Sequence, residues 1–336
     1  MMNIKDTNVG YSGWGAILFN GISLNPVGYD INSDDLYPIK SSSIQRQPSI
    51  TQEEDIHGAS DDMKSSKNFY IDGVSIFQGE LSLNIYRNTL LWDNLWQWIL
   101  GITSSGVNIL KPTGIIISTD GVYANCFEHC FVTRFTLKGD SGESGGPLSL
   151  DLSIVAMNEN EVRTDYINVS GERSFEGYVQ NYDMSVTSIY SQKYSFVPWF
   201  QTLIHYKFGE TQLYANDAEV VSFNITSDLP WKPIYLLQNS KTPQRFKRGI
   251  MSVSGGITLV DVVNGIPQPS EEQRHGIFMV GVKGVGTLKS EYCVINKFSK
   301  PTVSKNTIVS RTIDWVSVPE QTTSVGTTPP LCYTIW

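Results

Sequence analysis

The feature that most constrains the fold of this chain is a period of two in hydrophobicity, which recurs along most of the sequence. It is clearest where Val221, Phe223 and Ile225 alternate with polar residues. Such alternation places the apolar side chains on one face of a β-strand, so that one face is buried and the other is solvated. The pattern resumes at Met251 and continues past a Gly-Gly pair. We therefore predict a long antiparallel sheet here, with a basic loop at residues 240–249 attached to it.

The same period in the first half of the chain predicts a β-hairpin. Apolar and polar residues alternate over residues 131–138 and again over residues 148–154, and the sequence GDSGESGGP separates the two runs. Glycine and serine are typical of such turns. Further strands are expected where short apolar runs are bounded by turn residues, namely at 16–19, 74–76, 81–85 and 115–118.

One segment departs from the period of two. In LLWDNLWQWIL, apolar residues recur at the i, i+4, i+7 and i+8 spacing of one helical face. Asn88 precedes the segment as a cap, and Gly101 follows it as a stop signal. We predict a helix over residues 89–100 that packs on the sheet. Trp92 and Trp96 are expected in the core rather than at an interface.

Length and internal similarity predict two tandem domains. FVTRFTLKG followed by SGGPLSLDLSIV in the first half is similar to VVSFNITS followed by SGGITLVDVV in the second half. Such a repeat indicates a duplicated unit. We predict a mainly β fold (β-rich α+β) of two antiparallel sandwich-type domains at 1–160 and 194–318, with a connection at 161–193 and a tail at 319–336.

Two segments suggest contacts beyond the chain itself. Residues 31–67 are polar and acidic, which predicts either an arm that reaches a neighbouring subunit or a solvent-exposed loop. The C-terminal tail ends in the apolar sequence LCYTIW. Such an ending is either docked on its own chain or lent to a neighbour as a strand.

Composition restricts the classes of function. The formal net charge is −8, with 40% apolar and 17% charged residues. A net negative chain is poorly suited to gripping nucleic acid through its phosphates. The N-terminal MMNIKDTNVG has no apolar core, so we expect no signal peptide. No run approaches the ~20 apolar residues of a membrane span, and we expect synthesis in a cytoplasm.

The cysteines do not form a metal-binding pattern. Cys126 and Cys130 flank His129 in CFEHC, but Cys293 and Cys332 stand alone. A structural zinc site requires a second ligand pair. We therefore expect reduced, partly buried thiols, no metal and no cofactor. The glycines of GVKGVG precede no helix, so they predict no phosphate site.

The turn GDSGESGGP resembles the GDSGGP sequence around the nucleophile of chymotrypsin-like serine proteases, with an insertion. If Ser144 were the nucleophile, His57 would have to be the base. His57 lies in the acidic EEDIHGAS and not in the Ala-Ala-His-Cys setting of that family, and His129 lies in a predicted strand. We favour a glycine-rich hairpin tip and expect no enzyme, with the hydrolase as an alternative.

Two longer stretches resemble the tail tube proteins of tailed bacteriophages. The strand order of VVSFNITSDLPWKPIYLLQNSKTPQRFKRGIMSVSGGITL is similar to one segment of that family. FYIDGVSIFQGELSLNIYRNTLLWDNLWQWILG is similar to its strand pair and amphipathic helix, and the hairpin at 131–154 to its later strands. The acidic segment 31–67 departs from the family pattern, and the helix has no counterpart in the second half.

The resemblance implies a structural virion protein made in the host cytoplasm. Each domain would contribute strands to a ring-shaped inner β-barrel, and trimeric or hexameric rings would stack into the conduit for DNA ejection. Its partners would be further copies of itself, the tape measure, tail terminator and baseplate or tail-tip proteins, and passing double-stranded DNA bound without sequence preference. The subunit-contact candidates are Lys241, Arg245, Lys247, Arg248, Asp140, Glu143 and Trp336.

Two other virion roles stay open. One is a capsid jelly roll, which should have eight strands in one domain and no duplication. The other is a tail terminator or adaptor ring.

Overall fold

The described part of the chain is mainly antiparallel β-structure with one described helix, which confirms the predicted fold class. The structure is a computed structural model. It describes residues 14–19, 23–25, 28–32, 36–53, 69–107, 114–119, 123–140, 146–163, 167–170, 196–198, 201–208, 211–214, 220–235, 243, 245–260, 275–299, 310–317 and 330–336.

The described elements of the N-terminal half are, in chain order, β1 (Trp14–Leu18), β2 (Ser23–Asn25), β3 (Gly28–Asn32), β4 (Leu36–Pro38), β5 (Ser41–Ser42), β6 (Gln45–Glu53), β7 (Phe69–Asn84), α1 (Thr89–Leu100), β8 (Gly114–Thr119), β9 (Tyr123–Asp140), β10 (Ser149–Ala156), β11 (Asn158–Arg163) and β12 (Ile167–Ser170). The predicted hairpin is confirmed, since β9 and β10 pair antiparallel.

The described elements of the C-terminal half are all strands: β13 (Thr202–Phe208), β14 (Thr211–Tyr214), β15 (Val220–Asp228), β16 (Trp231–Ile234), β17 (Arg245–Arg248), β18 (Ser252–Val260), β19 (His275–Val282), β20 (Gly286–Phe298), β21 (Ser310–Ser317) and β22 (Cys332–Ile335). β15 and β18 pair antiparallel, as the period of two predicted.

The principal sheet contains strands from both halves. Its antiparallel order is β6–β7–β10–β9–β15–β18–β21–β20–β19–β13–β14. β22 lies beside β21 and pairs with β20. The pairing of β9 with β15 places Leu137 opposite Ile225 and joins the two halves in one sheet. β11 crosses the predicted end of the first domain at residue 160, β12 lies within the predicted connection, and the domain boundaries stay predictions.

β9 takes part in two groups of strands because it bends near His129. Its C-terminal part pairs with β10 and β15, whereas its N-terminal part pairs with β8 and β11. His129 has a φ of 51°, and the register shifts between Gly114 and Ile116 on the facing strand. These are the features of a β-bulge, which bends a strand. β8, β1 and β4 continue the second group.

The helix α1 supplies the centre of the core and is confirmed with its predicted first and last residues. The Asn88 side chain accepts a hydrogen bond from a first-turn N–H, and Gly101 ends the helix with a φ of 65°. Trp92 and Trp96 are fully buried, as predicted. The ring centroid of Trp96 lies 5.4 Å from those of both Trp92 and Phe135. No helix in the described part of the chain is long and apolar enough to span a bilayer.

Part of the predicted acidic loop is instead β-structure. Within residues 31–67, β4, β5 and β6 are strands, and β6 pairs along β7. Gln45, Arg46 and Gln47 of β6 are all exposed. An edge strand with exposed side chains has no apolar alternation, which is why the sequence did not predict it. Residues 54–68 lie outside the described part of the chain.

Two strand predictions need correction. The strands at 74–76 and 81–85 are one continuous strand, β7, and Gly79 is not a turn. A Cβ at Gly79 would lie 2.5 Å from Ile44 Cα, so glycine permits a close backbone approach. In β15, a register shift between Val220 and Ser222 buries Val220 and leaves Val221 half-buried.

The C-terminal end of the chain docks on the chain itself. The buried Tyr333 donates its hydroxyl hydrogen bond to Asp93 at 2.7 Å, and the Trp92 indole N–H donates to the Thr334 carbonyl at 3.2 Å. Of the two predicted alternatives, the structure therefore has the docked ending.

Candidate subunit-contact surface

The basic stretch predicted as a loop contains a strand. β16 and β17 pair antiparallel, with Trp231 opposite Arg248 and Ile234 opposite Arg245. The predicted loop is therefore wrong for the residues of β17. Phe246 is the one apolar residue in the sequence RFKR, which is too few to reveal a period of two. We call β16 and β17 together the cationic hairpin.

One face of the cationic hairpin packs on β9. The ring of Phe131 lies 4.9 Å from that of Trp231 and 4.6 Å from that of Phe246, measured between centroids. The Arg248 guanidinium lies 6.0 Å from the Trp231 ring centroid, within the range of a cation–π contact. Burial lowers the pKa of Arg248 from its usual value, although a guanidinium stays charged in proteins. These contacts orient the hairpin.

The other face of the cationic hairpin is exposed and positive. Lys232, Ile234, Arg245 and Lys247 alternate with the packed residues and are all exposed. Lys232 lies directly opposite Lys247. Like charges in that position destabilise a strand pair. Among the described residues, no carboxylate forms an ion pair with these three cations. A negative surface that covered this face would relieve the repulsion.

The edges of the described sheets differ in how well they are protected. β6 carries Pro48 and β16 carries Pro233, and proline blocks strand addition because it has no N–H to donate. β11, β14 and β17 contain no proline. Among the described strands, each of these three pairs on one side only. They are therefore edges on which another chain can add a strand, as are β2, β5, β12 and β22, which also lack proline and pair on one side only among the described strands.

The edge strand β11 is acidic, a feature that the sequence reasoning missed. Glu159 and Glu161 are both exposed. Asn160, between them, donates a hydrogen bond from its side chain to Glu128 at 2.9 Å. The sequence NENEVR offered a signal, since charges at i and i+2 lie on one side of a strand. NENEVR contains a single apolar residue, so it has no period of two, and the predicted domain boundary at residue 160 divides it.

The remaining predicted contact residues are dispersed. Asp140 is exposed at the C-terminal end of β9, opposite Ser222, nine residues along the strand from Phe131, which contacts the cationic hairpin. Trp336 is 55% exposed and follows β22. Its N–H donates to the Val285 carbonyl at 3.0 Å. Lys241 and Glu143 lie outside the described residues. The structure thus brings together Arg245, Lys247 and Arg248, but not Asp140 or Trp336.

The residues of the protease alternative are mostly outside the described part of the chain. Ser144 and His57 fall there, and His129 is exposed on the bulge of β9.

The thiols are buried, as predicted. Cys126, Cys130 and Cys293 are buried and Cys332 is partly exposed, and none of the four forms a disulfide. Burial raises the pKa of Cys130, and it raises the pKa of Cys293 to about 11. A thiol with a raised pKa is a weak nucleophile, because the thiolate is the reactive form. Within the described residues, no three histidine, cysteine or acidic side chains are grouped for a metal.

A polar cleft of about 600 Å³ lies where β6 and β7 meet the β9–β10 hairpin. Its lining includes Gln45, Gln47, Gln78, Thr133 and Ser153. Amides and hydroxyls can form hydrogen bonds but do not exchange protons near neutral pH. Glu80 is the single titratable side chain of the lining, so the cleft offers binding groups and no acid–base pair.

No protein-family model matches the chain, and no curated protein matches it. Function has to be inferred from the fold and the surface.

Proposed function

We propose that this chain is a structural virion protein, a subunit of a bacteriophage tail tube that assembles into stacked trimeric or hexameric rings. The observation that carries the proposal is the presence of proline-free edge strands, among them β11, β14 and β17. A strand edge exposes unpaired N–H and C=O groups, which a neighbouring subunit satisfies by adding a strand. Repetition of one such contact around an axis produces a ring.

The fold supports a role that depends on rigidity. The sheet passes from β6 to β14 through both halves, and the tryptophans of α1 fill the core. Each subunit of a tube has to hold its neighbours in fixed positions while DNA moves past them. A continuous sheet over a close-packed core has this property, because such interiors have low compressibility.

The charge supports the same role. A net charge of −8 disfavours adhesion to a phosphate backbone, so DNA can slide past the assembled subunits. In this account the partners are further copies of the chain, and then the tape measure, terminator and baseplate or tail-tip proteins at the ends of the tube. The role requires no catalytic residue and no cofactor.

Negative-stain microscopy of the purified protein tests the proposal. We expect rings with a central channel, and stacks of rings when the other tail components are added. Closed shells would instead indicate a capsid component, and a single ring that never stacks would indicate a terminator or adaptor. A protein that stays monomeric even with tail components present would refute all three roles.

The hydrolase alternative has a separate test. Labelling by a fluorophosphonate probe that is lost in Ser144→Ala would establish an enzyme and contradict the proposal. We expect no labelling of either protein.

A further inference from the structure

We propose that β17 of one copy adds to β11 of the next copy, antiparallel, so that Arg245 lies opposite Glu161 and Lys247 opposite Glu159. The inference rests on the proposed assembly and names the surface that each copy contributes. The cationic hairpin of each subunit is thereby held by the acidic edge of its neighbour.

The first support is charge. Lys232 and Lys247 repel each other across the hairpin and have no acidic partner among the described residues. Glu159 and Glu161 are exposed, and in the described part of the chain neither forms an ion pair with a cation. Each surface has the sign of charge that the other lacks.

The second support is spacing. Arg245 and Lys247 are two residues apart on one strand, and so are Glu159 and Glu161. Each pair therefore spans about 6.6–6.8 Å along its strand. Directly opposed side chains on antiparallel strands are close enough for ion pairs. Both pairs of charges consequently meet in one register.

The third support is the state of the two edges. β11 pairs only with β9 among the described strands, and β17 only with β16. Neither contains proline, whereas the other strand of the hairpin carries Pro233. A neighbouring strand can therefore form a full ladder of hydrogen bonds along β17 but not along β16.

The fourth support is the placement of the two surfaces on opposite sides of β9. β10 and β15 pair with the two sides of β9. β11 follows β10 after Met157, whose N–H donates to the Glu128 carbonyl. β16 follows β15 after Leu229, whose N–H donates to the Thr133 carbonyl. A contact between two different surfaces on opposite sides is head-to-tail, and such contacts form a ring when the rotation between neighbouring copies closes.

Charge reversal with rescue tests the pairing. Lys247→Glu and Glu159→Lys should each lower the association constant about tenfold, as measured by sedimentation velocity. Each substitution replaces an attractive charge pair with a repulsive one. The double variant carries both substitutions in one chain and so restores an oppositely charged pair at every contact. The double variant should recover most of the assembly. Lys283→Glu, an exposed lysine in the turn after β19, is the matched control and should assemble as the wild type does.

Disulfide trapping tests the register. Lys247→Cys combined with Glu159→Cys should give cross-linked chains under mild oxidation, because opposed residues have Cα atoms about 4.5–5.5 Å apart. Lys247→Cys combined with Glu161→Cys is displaced by two residues and should cross-link much less. Equal cross-linking in both proteins, or none in either, overturns the proposed register.

The outcomes separate this inference from the proposed function. Wild-type rings that persist in both single charge variants overturn the inference and leave the proposed function intact. A wild type that never assembles overturns both. If Lys247→Glu assembles normally but loses binding to a double-stranded DNA fragment, the hairpin contacts nucleic acid and the inference is wrong.

Discussion

Two regions of the principal sheet have the same antiparallel arrangement of three strands, and their differences are informative. β9 is flanked by β10 and then β7, and β15 is flanked by β18 and then β21. The two regions meet where Thr136 lies opposite Thr226, with their hydroxyl oxygens 3.2 Å apart. The sequence similarity that predicted a repeat falls on these strands, although the connections between the strands differ.

The two regions fill the same positions with different volumes. In the first region, Leu152 lies opposite both Phe135 and Leu81. At the corresponding place in the second region, Gly255 lies opposite both Ile225 and Trp315. A leucine–leucine pair is thus matched by a glycine–tryptophan pair. A core tolerates different side chains if their total volume is roughly conserved. The same arrangement of strands can therefore accommodate both pairs.

The two regions also differ in what joins their strands. A short glycine-rich sequence of eight residues, 141–148, joins β9 to β10, whereas the cationic hairpin is inserted between β15 and β18. The shared strands build the sheet, and the insertion adds a charged surface to one side of it. Stability and assembly should therefore respond to different substitutions.

The largest effect is expected in the core of the first region. Trp96→Ala removes a fully buried ring that contacts Trp92 and Phe135. We expect a loss of about 3–5 kcal/mol in the free energy of unfolding, measured by urea denaturation, because such cavities collapse only partly. Leu90→Ala, at a 52% exposed position of the same helix, should change it by less than about 0.5 kcal/mol. Similar losses in both variants would contradict this account of the core.

The next effect tests the glycine–tryptophan pair of the second region. A Cβ at Gly255 would overlap the Trp315 ring and lie 2.6 Å from the Asn224 carbonyl oxygen. Gly255→Ala should therefore lower the free energy of unfolding by about 1–3 kcal/mol, because the added methyl group overpacks the core. Gly146→Ala, where no atom lies within 4 Å of the added Cβ, is the control and should be nearly neutral. Trp315→Leu combined with Gly255→Ala should recover part of the lost stability. If the effects of the two substitutions on the free energy of unfolding simply add, the Trp315 ring is not the cause of the loss.

A smaller and more local effect is expected in the cationic hairpin. Phe246→Ala removes the ring that stacks on Phe131 and should destabilise the hairpin by about 0.5–1.5 kcal/mol. We expect faster hydrogen exchange in β16 and β17 and little change in β10. Lys232→Ala, on the exposed face, removes one charge of the repelling lysine pair and should therefore not speed exchange. Faster exchange throughout the sheet would show that the hairpin is part of the core rather than an addition to it.

The smallest expected effect is a pH dependence of stability that is confined to the first region. Burial alone would raise the pKa of Asp151, but hydrogen bonds donated by Lys138 at 2.7 Å and Ser82 at 2.5 Å outweigh it, so this pKa is lowered. A lowered pKa stabilises the fold above the unfolded value of about 3.9, and this contribution is lost as the pH falls through the folded value.

The side chain of Asp151 is 42% exposed, so solvent screening limits the effect to about 0.5 kcal/mol. Between pH 5 and pH 3, exchange protection should fall more in β10 than in β18, and Asp151→Asn should remove the difference. Equal losses in both strands of the wild type would contradict the assignment. The two pH limits bracket the carboxyl pKa range of about 3.9–4.3.

Sequence reasoning succeeded where burial leaves a periodic signal. The caps at Asn88 and Gly101 gave the helix its ends, and the alternation in β9, β10 and β18 gave the central strands. It failed where a strand contains few apolar residues. β6 and β11 are polar edge strands, and β17 packs only Phe246 and Arg248. The pairing of Thr136 with Thr226 and the contact of Trp231 with Phe131 join residues far apart in the chain, which no local pattern reveals.

The candidate surface was only partly predictable for the same reason. The positive residues Arg245 and Lys247 were visible in the sequence as a cluster, but their common exposed face depends on the pairing of β17 with β16. The acidic partner, Glu159 and Glu161, was missed because its edge position depends on the bend of β9.

Sedimentation velocity of the wild-type chain over a wide range of protein concentrations tests the central claim, that the open edges drive assembly into rings. The account predicts a discrete species of three or six chains that grows at the expense of the monomer as the concentration rises. A single monomeric species at every concentration would contradict it.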